Sequence, residues 1–178
     1  RLFTQNDTQA TSGYTTMLRI FKPFEVTAML ASFLDREITH VQAYANLTDT
    51  LGLGDQVYTE FLEIPVMENK ISYLEKAKVK KYEEYKALGM TDVEVDREYR
   101  RSVARMLAVY ASGLESVELM AQFAMLLTYQ EQGKYPGMCD TVIWSIKDEQ
   151  IHVLGNSWLF REFIKENPDI WDDSLKFD

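Results

Sequence analysis

The sequence predicts an all-α protein built on a bundle of four long helices. Apolar residues recur every three or four positions through long stretches, and no stretch alternates between apolar and polar residues as a half-buried strand does. The breaks between these stretches coincide with residues that end helices, namely Pro23, Gly52-Leu53-Gly54, Gly89, Gly133 and Pro168. With 178 residues, the chain is long enough for one domain with a substantial core.

The first two long helices are predicted on either side of Pro23. Residues 1 to about 21 have helical periodicity from the first position, and Pro23 then opens a second helix that reaches about residue 51. The Gly52-Leu53-Gly54 turn ends that helix. A short helix is predicted over about residues 55–63, and it ends before Pro65.

The remaining helices are predicted from the residues that start and end them. Residues 67–88 form a strongly amphipathic pattern that closes at Gly89, with the lysine-rich run 76–81 on its solvated face. Thr91 or Asp92 can cap a long helix that reaches about residue 132, where Gly133 ends it. The next helix starts at Pro136, reaches about residue 165 and stops at Asn167-Pro168.

Composition excludes several classes of function. The net charge of −9 argues against binding to nucleic acid or to an anionic membrane surface. No apolar run reaches the length of about 18 residues that a membrane span requires. Cys139 is the only cysteine, so an intrachain disulfide is impossible, and the composition predicts a reducing, cytoplasmic location.

Both histidines of the chain occupy the same short pattern. His40 follows Glu37 by three residues, and His152 follows Glu149 by three residues. Because residues three apart lie on one helix face, each pair directs a carboxylate and an imidazole toward a common point. The surrounding stripes, which include Phe33 and Ile146, are apolar, so both pairs are expected to face the bundle interior.

A buried carboxylate needs a partner, because leaving it unpaired costs several kcal/mol. Iron and manganese accept mixed carboxylate and imidazole ligands, so a metal site is one solution. Bundle sites of this kind add one carboxylate from each remaining helix. Asp7 is the candidate on the first helix, and Glu115 or Glu118 on the long helix, between which periodicity does not decide. The other solution is a bundle whose buried histidines are hydrogen-bonded without a metal.

Four segments in this order carry a resemblance to a known family: "RLFTQND", "REITHVQAYANL", "SGLESVEL" and "KDEQIHVLG". They resemble the small, radical-generating subunit of class I ribonucleotide reductase over nearly the whole chain. The gap of 75 residues between His40 and Glu115 leaves room for the helix over residues 67–88 that this family inserts there. The resemblance implies a ferritin-like four-helix bundle with additional helices. Residues 1–178 are expected to form a single domain that is a fragment of a longer chain.

The resemblance also implies roles for individual residues. Tyr44 matches the tyrosine that the family oxidises to a stable radical, with Phe33, Leu119 and Phe123 as its apolar shell. Asp148 matches an aspartate that hydrogen-bonds a ligand histidine on the electron-transfer route. Six positions match the ligands of two iron ions, or of manganese: Asp7, Glu37, His40, Glu115, Glu149 and His152.

The partners implied are the large catalytic subunit and a second copy of the chain in a homodimer. Other functions remain open, namely a ferritin-like di-metal oxidase or oxygenase of the ligand-binding type, iron storage and a metal-free bundle. Tyr44 and Asp148 favour the reductase among these.

Overall fold

The computed structural model describes residues 2–54, 56 and 63–177, and within those residues every regular element is helical. The all-α prediction is therefore confirmed. The short helix predicted over residues 55–63 lies almost entirely outside the described residues. Of the helices that are described, none is both long and apolar enough to cross a membrane.

Two antiparallel helices form the first half of the bundle, as predicted. Helix α1 covers Leu2–Ile20 and helix α2 covers Phe24–Thr50, with Pro23 immediately before α2. Gly52 follows α2 with φ of +66°, a conformation that side chains disfavour, which explains why the helix stops there. The two helices pack against each other along their length.

The helix predicted over residues 67–88 is wrong in one respect, because the structure divides it. Helix α3 covers Pro65–Lys76 and the short helix α4 covers Tyr82–Ala87. The intervening lysines repel one another at helical spacing. In addition, the Glu84 carboxylate accepts a hydrogen bond from the Lys81 backbone N–H (3.1 Å), which starts a new helix at that point. The break also allows Val79 to pack against the core.

The long helix begins where the sequence predicts, but its middle is not an α-helix. Helix α5 covers Asp92–Ala108, and Thr91 and Glu94 form a reciprocal capping box at its start. A π-helical segment then covers Val109–Glu118, and helix α6 covers Leu119–Glu131. The π-helical segment contains Glu115. Such π-helical turns are rare in proteins, but those that occur often lie at functional sites.

The fourth long helix, α7, covers Pro136–Glu166 and completes the bundle by packing against α2, α5, α6 and the π-helical segment. It starts and stops as predicted. Beyond it, a 3-10 turn covers Pro168–Ile170 and helix α8 covers Asp173–Phe177. The buried Arg101 holds this end against α5, because its guanidinium donates hydrogen bonds to Asp172 (2.9 Å) and Ser174 (3.0 Å).

Candidate metal centre

Titratable side chains from all four long elements of the bundle meet in its interior. Helix α1 contributes one, the π-helical segment one, and α2 and α7 two each. The six residues are at most 5% exposed: Asp7, Glu37, His40, Glu115, Glu149 and His152. They form two overlapping groups in which one ligand atom from each residue lies within 4.8 Å of the others. The first group is Asp7, Glu37, His40 and Glu149, and the second is Glu37, Glu115, Glu149 and His152.

His40 faces the first group with one nitrogen and the protein surface with the other. Its Nδ1 lies 3.1 Å from Glu149 Oε1, whereas its Nε2 lies 3.2 Å from Asp148 Oδ2. Asp148 is itself about one-third exposed. The structure thus brings Asp148 against His40 from the outside, and this contact fixes which imidazole nitrogen points inward.

His152 faces three carboxylates with one nitrogen. Its Nδ1 lies 2.9 Å from Glu149 Oε2, 2.9 Å from Glu37 Oε1 and 3.5 Å from Glu115 Oε2. On the other side, its ring packs against Phe33 with centroids 4.5 Å apart. The imidazole is therefore held between an apolar wall and the centre of the cluster.

The structure shows that Glu115, and not Glu118, belongs to the cluster, which periodicity could not decide. Glu115 is fully buried and belongs to the second group of the cluster. Glu118 instead pairs with Lys70 Nζ at 2.6 Å and accepts a hydrogen bond from Gln122 at 3.1 Å. Its contacts are therefore with a lysine and an amide rather than with the cluster.

Several carboxylate oxygens of the cluster have no hydrogen-bond partner among the described residues. This holds for both oxygens of Asp7, for Glu37 Oε2 and for Glu115 Oε2. Leaving such atoms buried and unsatisfied is costly, and a native interior avoids it unless another species engages them. Four carboxylates and two imidazoles with free lone pairs fit a pair of divalent transition-metal ions.

The charge state of the cluster reflects its burial. Burial raises the pKa of Asp7 well above its ordinary value, and the neighbouring carboxylates Glu37 and Glu149 add to the shift. Burial also raises the pKa of Glu115. For His152, burial acts to lower the pKa, but the contacts with Glu149 and Glu37 outweigh it and raise the pKa to about 10. Without metal, the cluster therefore retains protons at neutral pH.

Metal uptake at pH 7 is expected to release protons into solution. A proton and a metal ion compete for the same lone pairs, and the raised pKa values of Asp7, Glu115 and His152 mean that protons occupy some of them beforehand. Metal affinity should consequently increase as the pH rises. Anaerobic addition of Mn(II) to weakly buffered protein with a pH indicator measures the release. An unchanged indicator signal during metal binding would contradict this expectation.

Tyr44 is 4% exposed, and the charges of Asp7, Glu149 and Glu37 act on its hydroxyl group. Its hydroxyl donates a hydrogen bond to Ser145 Oγ at 2.8 Å. Its ring packs with Leu119, Phe123 and Val142, so two members of the predicted apolar shell are in place. The prediction for Phe33 is wrong, because this ring belongs to the other core cluster and packs against His152. Burial raises the pKa of Tyr44, which keeps the phenol protonated.

Tyr14 contacts the cluster and Asn156 contacts Tyr14, and neither was predicted as a site residue. The Tyr14 hydroxyl donates a hydrogen bond to Glu115 Oε1, and Asn156 Nδ2 donates one to the Tyr14 oxygen at 2.8 Å. Both side chains are fully buried. Their helical spacing gave a partial signal, since Tyr14 lies seven residues after Asp7 and Asn156 four residues after His152.

Comparison with known proteins places this bundle and its cluster in a family. A family model described as the small chain of ribonucleotide reductase matches residues 1–177. A probable ribonucleoside-diphosphate reductase small subunit of Invertebrate iridescent virus 6 is 36% identical over 168 residues, which cover 94% of this chain and 46% of the relative. A similarly named protein of Invertebrate iridescent virus 3 is 32% identical over 172 residues, covering 94% of this chain and 44% of the relative.

The chain therefore spans slightly less than half the length of these two relatives. The family match nevertheless extends over almost every residue, and it includes all four elements that contribute to the buried cluster. By sequence and by its helical architecture, the chain belongs to the ribonucleotide reductase small chain family.

Proposed function

We propose that this chain is the radical-generating core of a ribonucleotide reductase small subunit. In this proposal, a metal pair held by the cluster would supply the oxidant for Tyr44, and the large catalytic subunit would use that oxidising equivalent to reduce ribonucleotides to deoxyribonucleotides. The observation that carries the proposal is the pair of overlapping buried groups, with Tyr44 beside one of them. Family membership supports the assignment of the reaction.

The division into two groups suggests how six side chains would hold two ions. Asp7 and His40 belong to the first group alone, and Glu115 and His152 to the second group alone. Glu37 and Glu149 belong to both, so they are the residues proposed to be shared. Two iron ions are the proposed metals, and manganese suits the same ligands. Once they have reacted with oxygen or a reduced oxygen species, ions bound there would supply the oxidant for a nearby phenol.

Tyr44 is suited to the radical role by its position on α2. It lies four residues after His40 on the same face, about 6 Å along the helix axis. The hydrogen bond to Ser145 fixes the direction of its O–H bond, and Leu119 and Phe123 limit the access of water and reductants to the ring. Oxidation removes one electron and the hydroxyl proton, and burial then protects the product.

Asp148 is proposed to connect the buried cluster with the protein surface. Its carboxylate contacts His40 Nε2, and its partial exposure places it between the buried cluster and the surface. A carboxylate in this position holds the imidazole in one tautomer and increases its basicity. We place it on the route by which electrons reach the metal pair.

The remaining elements of the proposal concern assembly. The chain is proposed to act within a single ferritin-like domain, as a homodimer, in complex with the large subunit, and to bind no nucleotide substrate itself. A ligand-binding oxidase shares such a cluster, but Tyr44 and Asp148 beside the metal site favour the reductase.

Reconstitution with iron tests this function directly. Purified protein is loaded anaerobically with Fe(II), exposed to O₂ and examined by low-temperature electron paramagnetic resonance, with metal content measured by elemental analysis. We expect two metal ions per chain and a tyrosyl radical signal. A protein that takes up neither iron nor manganese would rule the proposal out. If the protein binds metal but forms no radical with either metal, only the metal-site part of the proposal would remain.

A further inference from the structure

A chain of three buried polar side chains connects α1, α7 and the π-helical segment. Asn156 Nδ2 donates a hydrogen bond to the Tyr14 oxygen at 2.8 Å, and the Tyr14 hydroxyl donates to Glu115 Oε1. All three side chains are 0% exposed. Tyr14 is far in the sequence from both Glu115 and Asn156, so these contacts form only because the helices pack into a bundle.

The direction of these hydrogen bonds follows from the chemistry of the groups when Glu115 is ionised, as a carboxylate that binds metal is. The amide NH₂ of Asn156 can only donate, and the Tyr14 hydroxyl has a single proton, which goes to Glu115. The opposite orientation of the amide would set its oxygen against a hydroxyl oxygen whose proton is already committed. Tyr14 therefore uses both its donor and its acceptor capacity in this chain.

The Tyr14 ring has little freedom to move. Its centroid lies 5.7 Å from that of Phe33 and 5.8 Å from that of His152, both in edge-to-face geometry. The preceding residue, Gly13, allows α1 to approach the long helix closely, because a Cβ there would overlap the Tyr110 ring. The hydroxyl is thus held at one point beside Glu115.

The consequence for Glu115 is an asymmetry between its two oxygens. Oε1 is occupied by Tyr14, whereas Oε2 has no hydrogen-bond partner and lies 3.5 Å from His152 Nδ1. Asp7 differs, because both of its oxygens lack a hydrogen-bond partner. Among the carboxylates of the cluster, Glu115 is accordingly the one with an oxygen committed to a buried phenol.

We propose that Tyr14, held by Asn156, is a positioning residue that directs Glu115 to bind metal through Oε2 and thereby sets the affinity of one of the two metal positions. This inference rests on the proposed function, since it assumes that the cluster binds two ions. It assigns different roles to two of the buried tyrosines. Tyr44 contacts Ser145 and is the proposed radical site, whereas Tyr14 contacts a ligand and orients it.

The Tyr14→Phe substitution tests this role, because it removes one hydroxyl and keeps the ring. Stepwise binding of Mn(II) to the metal-free protein is followed by electron paramagnetic resonance of the free ion. Removing a hydrogen-bond partner of a ligand commonly costs 10- to 100-fold in metal affinity. We expect the dissociation constant of one ion to rise by about tenfold or more, while that of the other changes by less than about threefold. Asn156→Ala should weaken the same ion to a smaller extent.

Tyr110→Phe provides a matched control. Tyr110 is also fully buried, but its hydroxyl donates to the backbone oxygen of Gln9 at 3.2 Å rather than to a ligand. Both variants lose one buried hydroxyl, so thermal unfolding of the metal-free proteins should be affected similarly. Only Tyr14→Phe should change metal affinity, and only there should the carboxylate infrared bands that appear on metal binding shift.

The outcomes distinguish this inference from the proposed function. If the unmodified protein binds two ions and Tyr14→Phe binds both with unchanged affinity, the positioning role is overturned and the proposed function stands. Equal weakening of both ions, or equal effects of Tyr14→Phe and Tyr110→Phe, would also overturn it, because the effect would then be structural. If the unmodified protein binds no ion, both the function and the positioning role fall.

Discussion

The Glu149→Gln variant is expected to bind neither metal ion with the affinity of the unmodified protein. Glu149 is fully buried and belongs to both groups of the cluster. Its Oε1 lies 3.1 Å from His40 Nδ1, and its Oε2 lies 2.9 Å from His152 Nδ1. Glutamine has nearly the same shape, but it lacks the charge and replaces one of the two oxygens with an NH₂ group that cannot bind a cation.

Losing a ligand should weaken metal binding more than losing a residue that only orients a ligand. We therefore expect the dissociation constant of each ion to rise by more than about 100-fold. Metal content after reconstitution and Mn(II) titration measure it. Glu118→Gln is the matched control, because it makes the same change at a carboxylate that pairs with Lys70 rather than with the cluster. If Glu149→Gln retains two tightly bound ions, the shared role of Glu149 is wrong.

The helices that the sequence predicts best are those bounded by strong local signals. Pro23, Gly52 and Pro136 determine the ends of α1, α2 and α7, because they act through backbone geometry that tertiary packing does not override. The division of residues 67–88 was missed because an amphipathic pattern continues across it. The capping interaction of Glu84 and the packing of Val79 decide it instead.

The π-helical segment could not be predicted from periodicity. A wide turn shifts the helix phase by only part of a turn, so the apolar pattern around Glu115 remains compatible with a regular α-helix. This is also why periodicity left Glu115 and Glu118 undecided. Only the packing of the long helix against α1 and α7 determines which carboxylate enters the interior.

The site was predictable to the extent that its residues are unusual for their surroundings. Two histidines, each three residues after a glutamate on an apolar face, indicate a buried polar centre without any structure. Tyr14 and Asn156 carried only the partial signal of their spacing from Asp7 and His152, because neither residue type by itself indicates a polar centre. Their contact joins residues 142 positions apart, and it becomes visible only once the bundle is assembled.

Replacing Tyr44 with phenylalanine is expected to abolish the tyrosyl radical signal while leaving metal content unchanged. The phenol oxygen is the only heavy atom lost, and the hydrogen bond that the hydroxyl donates goes to Ser145 Oγ. The ring remains packed with Leu119 and Phe123, so the bundle should retain its structure. The loss of one buried hydrogen bond lowers stability by about 1 kcal/mol. Elemental analysis and low-temperature electron paramagnetic resonance after Fe(II) and O₂ provide the measurement.

The Ser145→Ala variant sharpens this expectation, because it keeps Tyr44 and removes the hydroxyl that accepts its hydrogen bond. A radical on Tyr44 should persist there, with a shifted g-tensor at high field. The phenoxyl oxygen has no proton, so in the unmodified protein the Ser145 hydroxyl would turn from Thr141 O to donate to it, and the variant lacks this donor. Tyr14→Phe should leave that g-tensor unchanged, because the Tyr14 hydroxyl bonds to Glu115, which belongs to the second group alone. A tyrosyl signal that survives Tyr44→Phe but disappears in Tyr14→Phe would move the radical to Tyr14 and contradict the roles proposed for both tyrosines.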